Sequence, residues 1–359
     1  MKIVTVVGAR PQFIKAAAIS RVIRENYVSK IEELLVHTGQ HYDDNMSKVF
    51  FDELDIPQPK YNLNISGGQH GAMTGRMLEA IENVLSCEKP DWLLIYGDTN
   101  STLAAAIAAA KLHIPVAHVE AGLRSFNMRM PEEINRILTD RVSTLLFCPS
   151  QIAVNNLKAE GFSQGILNVG DIMYDVALFY GDRAREQSSI LKTLDLKPGN
   201  FALATCHRAE NTDDPNRLKS IFSALAEIAD QLPVVLPLHP RTHKLINDYG
   251  LTHLLANLTI TSPLAFLDMV ALEQASRVIL TDSGGVQKEA FFYGVPCITM
   301  RDETEWLETI ELGWNHLVGV STQSILSAVK QSMQNPPKSV SATPYGMGRT
   351  ANDILASLA

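Results

Sequence analysis

The stretch Ile3-Val4-Thr5-Val6-Val7-Gly8-Ala9-Arg10-Pro11-Gln12-Phe13-Ile14-Lys15 decides the fold. Its β-branched run makes a strand, Gly8 a turn, and Pro11, ahead of an apolar, alanine-rich segment, the first position of a helix. Dinucleotide-binding domains keep a glycine-rich fingerprint at such a turn. Here one glycine is followed by an arginine and a proline, so that fingerprint is absent. If Pro11 begins the helix, Arg10 puts a cation at the positive end of the helix dipole, which costs about 0.3–1 kcal/mol unless an anion binds there. Arg10 is therefore either an anion clamp or a solvated side chain.

Outward from that stretch, apolar strand-like runs alternate with helical patterns almost throughout, which implies parallel sheets with helices on both faces. Strands are expected at Ile3–Val7, Glu33–Thr38, Trp92–Tyr96, Val116–Val119, Thr144–Cys148, Phe201–Thr205, Val234–Leu238, Leu258–Thr261, Val278–Thr281 and Cys297–Met300. That is more than one ordinary open sheet holds. A break follows Leu167-Asn168-Val169-Gly170, where a polar helical segment from Tyr174 to Leu196 leads through Lys197-Pro198-Gly199-Asn200 to a fresh strand. The fold class is α/β, with two doubly wound Rossmann-like domains expected at 1–169 and 170–345. Ligands of such sheets sit beyond the carboxyl ends of the strands, so the residues that follow strands are the ones to read.

Bulk properties limit the ligand. The chain has 359 residues, 46% hydrophobic and 19% charged, enough for two medium cores. A formal charge of −8 argues against nucleic acid or an anionic membrane as main partner, so any anion must be met by a local pocket. The apolar run from Leu103 to Ala110 is too short to span a bilayer, and Arg10 interrupts the first run before it could act as a signal peptide. A cytoplasmic chain without membrane contact is expected. Cys87, Cys148, Cys206 and Cys297 lie far apart with no C-x-x-C pair, so they read as core or near-core thiols rather than a disulfide frame or a metal site.

The strand ends carry chemistry. Lys15 follows Arg10 by five residues. Asp98 stands in Gly97-Asp98-Thr99-Asn100-Ser101-Thr102, where Thr99, Asn100 or Asp98 itself caps the next helix. Glu120 ends a buried strand; its plain alternative is a salt bridge to Arg124. Pro131-Glu132-Glu133 opens a helix with two carboxylates, which the helix dipole alone would explain. In the second half, His207 in Cys206-His207-Arg208-Ala209-Glu210-Asn211 and His239 in Leu238-His239-Pro240-Arg241 both sit where a strand opens into a loop. Thr281-Asp282-Ser283-Gly284-Gly285-Val286-Gln287-Lys288-Glu289 is the strongest local signal. Ser283 and the two glycines let backbone N–H groups approach a phosphate at a helix N-terminus, and Glu289 is placed to accept from a ribose diol; an unliganded capping turn is the alternative. Nothing supplies a nicotinamide fingerprint, a Walker lysine, metal-ligand spacing or another cofactor motif.

The blocks G-A-R-P-Q-F-I-K, Y-G-D-T-N-S-T, H-V-E-A-G-L-R-S, M-P-E-E-I-N-R, C-H-R-A-E-N and T-D-S-G-G-V-Q-K-E-A, in this order and spread over nearly the whole chain, resemble the non-hydrolysing UDP-N-acetylglucosamine 2-epimerases. The resemblance implies the two-domain GT-B fold with the nucleotide in the cleft, a homodimer, and a C-terminal helix, here within about 346–359, packed back on the first domain. It implies an isomerase that eliminates UDP from a UDP-2-acetamido sugar and adds it back after C2 has inverted. On matching motif positions, Asp98, Glu120 and Glu132 correspond to acid/base and sugar-stabilising carboxylates; Arg10, Lys15 and His207 to the group that meets the departing diphosphate; and Ser283, Gly284, Gly285 and Glu289 to the UDP cradle. Gln40, His41, Gln69 and His70 resemble in part a region where some relatives bind a second UDP-N-acetylglucosamine.

Three departures from the common pattern bear on substrate. Gln12 stands where Glu is usual after the proline, and Leu264, Phe266 and Met269 mark a nucleotide-side block in which Tyr and Phe are common at the last two positions. Thr304-Glu305-Trp306 replaces T-E-R, a form that resembles the subgroup acting on UDP-2,3-diacetamido-2,3-dideoxyglucuronate, a surface-polysaccharide precursor. Arg129 is then a candidate cation for the C6 carboxylate. The alternative substrate is UDP-N-acetylglucosamine. Rival activities are a retaining GT-B glycosyltransferase, which would need an acceptor, and the hydrolysing sibling, which would release free UDP.

Overall fold

The computed structural model describes residues 1–40, 57–335, 337 and 343–358. The chain divides into two compact units, Met1–Val176 with Thr343–Ala359, and Ala177–Ala342.

Unit 1 is built on strands β1 (Lys2–Val7), β2 (Glu32–His37), β3 (Tyr61–Asn62), β4 (Trp92–Tyr96), β5 (Val116–Val119), β6 (Leu145–Cys148) and β7 (Ile166–Asn168). They form one parallel sheet in the order β3-β2-β1-β4-β5-β6-β7. Helices cover both faces, so the strands are apolar on both sides: every residue of β1 from Ile3 to Val7 is buried. One layer packs Val4, Val6, Leu93 and Ile95 against the alanines of helix Asn100–Lys111, where Ala104, Ala105, Ala108 and Ala109 are fully enclosed. Strand order reverses between β1 and β4, and the mouth of the sheet beside that reversal is the natural ligand position in an open α/β sheet.

Unit 2 repeats the plan with β8 (Ala202–Thr205), β9 (Val234–Pro237), β10 (Thr259–Thr261), β11 (Val278–Thr281), β12 (Cys297–Thr299) and β13 (Asn315–Leu317), all parallel, in the order β10-β9-β8-β11-β12-β13. Its reversal lies between β8 and β11, paired from Val278↔Ala202 to Thr281↔Thr205.

Strands β3, β7 and β13 were not expected from the sequence. Each has two or three residues and extends the edge of a sheet already formed, so it owes its conformation to a neighbour and shows no periodicity of its own. The last helix, Thr350–Leu358, belongs to unit 1. Asp175 holds its start, accepting from Thr350 N at 3.1 Å and Ala351 N at 2.9 Å, and burial still pushes the Asp175 carboxyl up despite those bonds.

Cys148, Cys206 and Cys297 are buried, but Cys87 is exposed on helix His70–Glu88, against the expectation that all four are core or near-core thiols. Burial raises the Cys148 and Cys297 thiols to about 12. Among the described residues no helix is long and apolar enough to cross a membrane, and no cluster of His, Cys, Asp or Glu could hold a metal ion.

Candidate active site

In unit 1 the first turn is closed by an amide. Gln12, in the first turn of helix Arg10–Val22, is 2% exposed. Its Oε1 accepts from Gly8 N at 2.8 Å and Ala9 N at 3.1 Å, which caps the helix that Ala9 cannot cap. Its Nε2 donates to Tyr96 O at 2.8 Å, Thr102 Oγ1 at 2.8 Å and Thr99 Oγ1 at 3.1 Å. The turn that carries Arg10 is thereby tied to the turn that carries Asp98. The single glycine of the first turn has a packing cause: a Cβ at Gly8 would collide with the Ser101 and Thr38 side chains. Ser101 also donates to Gln40 Oε1 at 2.7 Å, while His41 lies outside the described residues. His70 contacts Asn100 Nδ2 through Nδ1 at 3.1 Å, and Gln69 begins its helix as N-cap.

Lys15 and Glu120 meet as a nearly enclosed ion pair, with side chains 8% and 9% exposed. The alternative bridge from Glu120 to Arg124 is not formed. Arg124 instead pairs with Asp140 at 2.8 Å and Glu160 at 2.6 Å. Glu120 has a φ of +73°, in the left-handed region that a non-glycine residue enters at a cost of about 1–2 kcal/mol. Both Glu120 N and Ala121 N donate to Phe147 O at 3.1 Å, so β6 holds the strained residue in place.

Asp98 neither caps its helix nor stands alone. Thr99 is the cap, accepting from Thr102 N, and Asp98 Oδ2 receives the Arg136 guanidinium at 2.6 Å and 2.9 Å. Asn135 Nδ2 donates to Asp98 O at 2.8 Å. Both residues come from helix Pro131–Val142, whose two leading carboxylates divide their work. Glu133 is 1% exposed and accepts from Ser125 N, Phe126 N and Arg136; burial opposes its ionisation, but these donors hold its carboxyl below the usual range. Glu132 is exposed on the same first turn, and Arg129 is exposed on the loop before it. The dipole explanation for this pair is thus incomplete: one carboxylate folds the 125–133 loop and the other faces outward.

In unit 2, Asp282 organises the mouth between β8 and β11. Fully buried, it accepts from His207 N at 3.1 Å, Arg208 N at 3.0 Å and Asn211 Nδ2 at 3.2 Å. His207 is half exposed beside it, with Nδ1 at 3.6 Å from Asp282 Oδ1. Ser283 is N-cap of helix Gly284–Phe292 and makes no side-chain cap bond, so its hydroxyl is not spent on the helix. The two glycines differ. A Cβ at Gly284 would lie 2.9 Å from Glu305 Oε1, a packing cause, whereas at Gly285 it would meet nothing nearer than Ser283 Oγ at 3.9 Å. Glu289 is half-buried one turn further along.

Beside Gly284 stands Arg301, to which no motif in the sequence gave a role. It is 2% exposed and bonds Glu305 Oε2 through Nη1 at 3.1 Å, while its buried Nε and Nη2 have no hydrogen-bond partner among the described residues. These two donors of a buried cation stand beside the N-terminus of helix Gly284–Phe292, where Glu305 also lies, and make this end of the sheet a candidate anion site. Trp306 is buried there, with Lys288 Nζ 4.0 Å from its ring centroid. His239 is spent as a cap, accepting from Arg241 N at 3.2 Å.

Fold and sites together define an α/β protein of two Rossmann-like units, each with charged groups at its sheet reversal. The family model for UDP-N-acetylglucosamine 2-epimerase matches residues 24–359. UDP-2,3-diacetamido-2,3-dideoxy-D-glucuronate 2-epimerase of Pseudomonas aeruginosa is 53% identical over 363 residues, covering 100% of this chain and 99% of that protein. The crystal structure of Methanocaldococcus jannaschii UDP-GlcNAc 2-epimerase in complex with UDP-GlcNAc and UDP has a TM-score of 0.91 at 42% identity, covering 100% of this chain and 99% of that one. Phytolacca americana UGT2, at 13% identity and a TM-score of 0.61 over 99% of this chain and 93% of its own, shares the fold alone. The chain belongs to the UDP-N-acetylglucosamine 2-epimerase family, and it is an isomerase of that type with the GT-B kind of two-domain fold.

Proposed function

We propose that this enzyme interconverts UDP-2,3-diacetamido-2,3-dideoxyglucuronate and its manno epimer, supplying a surface-polysaccharide precursor. The identity to the Pseudomonas aeruginosa enzyme and the buried Trp306 in place of arginine support this substrate. The observation that carries the chemistry is the mouth of unit 1, where Asp98 and Glu120 are each held by their own cation at adjacent strand ends.

C2 of such a sugar bears an amide nitrogen and no neighbouring carbonyl, so direct deprotonation to a carbanion is hard. Elimination avoids it. The C1–O bond breaks with its electron pair leaving on UDP, a carboxylate takes the C2 proton, and the C2–H electrons become the C1–C2 double bond of a glycal. Protonation of C2 from the other face and return of UDP to C1 give the epimer. In this reading Asp98, Glu120 and Glu132 divide the proton transfers and the stabilisation of positive charge at C1. Arg10, Lys15 and His207 meet the diphosphate as it departs. Ser283, Gly284, Gly285 and Arg301 hold UDP phosphate, and Glu289 takes the ribose. Arg129 pairs with the C6 carboxylate.

A second reading, UDP-N-acetylglucosamine as substrate, draws on the 43% identity to the Methanocaldococcus jannaschii epimerase. We place the enzyme in the cytoplasm as a homodimer. Unpaired cysteines suit a reducing compartment, and the exposed Ile134, Leu138 and Val142, at four-residue spacing on one helix, suit a second copy.

The test is incubation of each UDP-sugar, alone, in deuterium oxide. Epimer carrying deuterium at C2, with deuterium also entering recovered substrate, is expected. Unlabelled epimer would exclude the proton-transfer route, an absolute need for an acceptor would indicate a glycosyltransferase, and accumulating free UDP would indicate the hydrolysing activity.

A further inference from the structure

We infer that Phe126 is a specificity residue of the site in unit 1, its ring packing against the acetamido group of the sugar; this rests on the UDP-2-acetamido sugar proposed above as substrate. Phe126 lies in the loop between β5 and helix Pro131–Val142. It is 75% exposed, and Met128 two residues on is 60% exposed, so neither side chain serves the core. Phe126 also has a φ of +58°, in the left-handed region where a bulky residue is strained. Strain and an exposed aromatic ring both count against the fold, and strained residues of this kind persist where a ligand is clamped.

The strained conformation is fixed by a buried carboxylate. Glu133 Oε1 accepts from Phe126 N at 2.9 Å, and Glu133 Oε2 accepts from Ser125 N at 2.9 Å and Ser125 Oγ at 3.1 Å. Ser125 Oγ in turn accepts from Asn127 N at 3.3 Å, and Asn127 O accepts from Met130 N at 3.0 Å. The ring is therefore presented on a backbone that the fold has already ordered, and little entropy remains to be lost when a ligand meets it.

The same carboxylate joins Phe126 to the candidate reacting groups. Glu133 Oε2 accepts from Arg136 Nη1 at 2.8 Å, and Arg136 Nη2 meets Asp98 Oδ2 at 2.6 Å. Glu132, next to Glu133 on the first helical turn, is exposed as Phe126 is. Phe126 thus shares one hydrogen-bonded frame, wholly within unit 1, with two of the three candidate carboxylates. A sugar whose C2 is reached by those carboxylates brings its C2 substituent to the same frame. An acetamido group presents an uncharged amide plane and a methyl, which an aromatic ring covers by close packing. Arg136 is spent on Asp98 and Glu133, so the exposed ring is the group fitted to that substituent.

Phe126→Gly removes the ring and relieves the strain, because glycine takes a positive φ freely, whereas Phe126→Tyr keeps the ring. Competition calorimetry on the full-length enzyme, displacing bound UDP with UDP-N-acetylglucosamine or with UDP-glucose, which lacks the acetamido group, reads the contact. The parent should favour UDP-N-acetylglucosamine by at least about tenfold. That preference should fall at least about fivefold in Phe126→Gly and stay within about twofold of the parent in Phe126→Tyr, with affinity for UDP itself kept within about twofold in both. A parent without the preference, or a Phe126→Gly variant that retains it, would overturn the inference. Thermal melts and sedimentation separate recognition from packing: Phe126→Gly should melt at or above the parent temperature in the same oligomeric state. A lower melting temperature, a misfolded variant or a changed oligomeric state would make the ring a packing group and also overturn the inference. A parent that shows the preference, loses it in Phe126→Gly and epimerises neither UDP-sugar would refute the function proposed above and leave the role of Phe126 standing.

Discussion

Gln12→Glu changes one atom of a buried side chain and should cost the enzyme stability in a pH-dependent way. Oε1 keeps its two backbone donors, Gly8 N and Ala9 N. The other terminal atom now faces Tyr96 O and Thr102 Oγ1, both at 2.8 Å. Thr102 already donates its own proton to Tyr96 O at 2.7 Å, so neither of these has a hydrogen to offer a carboxylate; of the three partners only Thr99 Oγ1, at 3.1 Å, can turn its proton toward it. With its new carboxyl ionised, the variant loses two bonds and leaves acceptors opposed in a closed space, about 2–5 kcal/mol. With that carboxyl protonated it keeps them, at about 1.4 kcal/mol for each pH unit above an ordinary glutamate value near 4.3. The cheaper route sets the loss: about 1 kcal/mol near pH 5 and about 3 kcal/mol near pH 8. The sign follows from a folded-state pKa raised above the unfolded one, so stability is full below the unfolded value and lost as pH rises through the folded one. Urea midpoints of parent and variant at the two pH values are the assay, with Gln12→Met as a pH-independent control. Loss of kcat should parallel the loss of stability as the Arg10 and Asp98 turns part. A variant as stable as the parent near pH 8, or one whose loss does not change with pH, would refute the reasoning.

Further outcomes follow from other parts of the structure. Arg10→Ala should lower turnover at least about tenfold, some 1.4 kcal/mol of transition-state stabilisation; near-normal kcat/KM would remove Arg10 from the group that meets the diphosphate. Arg129→Met should reduce kcat/KM for the diacetamido-glucuronate substrate far more than for UDP-N-acetylglucosamine, and the parent should favour the acidic substrate by about a hundredfold, as an unpaired charged hydrogen bond costs about 3 kcal/mol. Equal rates in the parent would favour the second substrate reading. Burial raises the Glu33 carboxyl despite bonds from Ser20 and Thr5, so its contribution to stability is full below 4.5 and is lost as pH rises through its folded value. Glu33→Gln should therefore gain stability over the parent as pH climbs from about 4 to about 7, in thermal melts, and parallel curves would count against it.

Local sequence was enough to determine the alternation of β-branched runs and amphipathic segments, and with it two parallel sheets, because the burial of strands on both faces is written residue by residue. The motif blocks likewise marked the turns on which charged groups stand at the two sheet mouths. What each charged side chain does there was not legible, because partners lie far apart in the chain. Whether Glu120 pairs with Arg124, four residues on, or with Lys15, 105 residues away, depends on the neighbouring ends of β1, β4 and β5. Glu132 and Glu133 are chemically alike in the sequence; only the loop at 125–126 that wraps over the helix start separates the structural one from the exposed one. Gln12 looked like a departure bearing on substrate and proved to be the bolt between two turns. At Gly284 the structure adds a packing reason that the sequence did not show, since a Cβ there would crowd Glu305. His118, in the middle of an apolar strand, gave no signal, since its partners, Asp140 and the Gly97 carbonyl, lie 22 and 21 residues away in the chain. Sequence periodicity determines which face of an element is buried, a local property; hydrogen-bond polarity, ion pairing and charge balance at the sheet mouths are decided between distant segments, and only the tertiary structure brings those together.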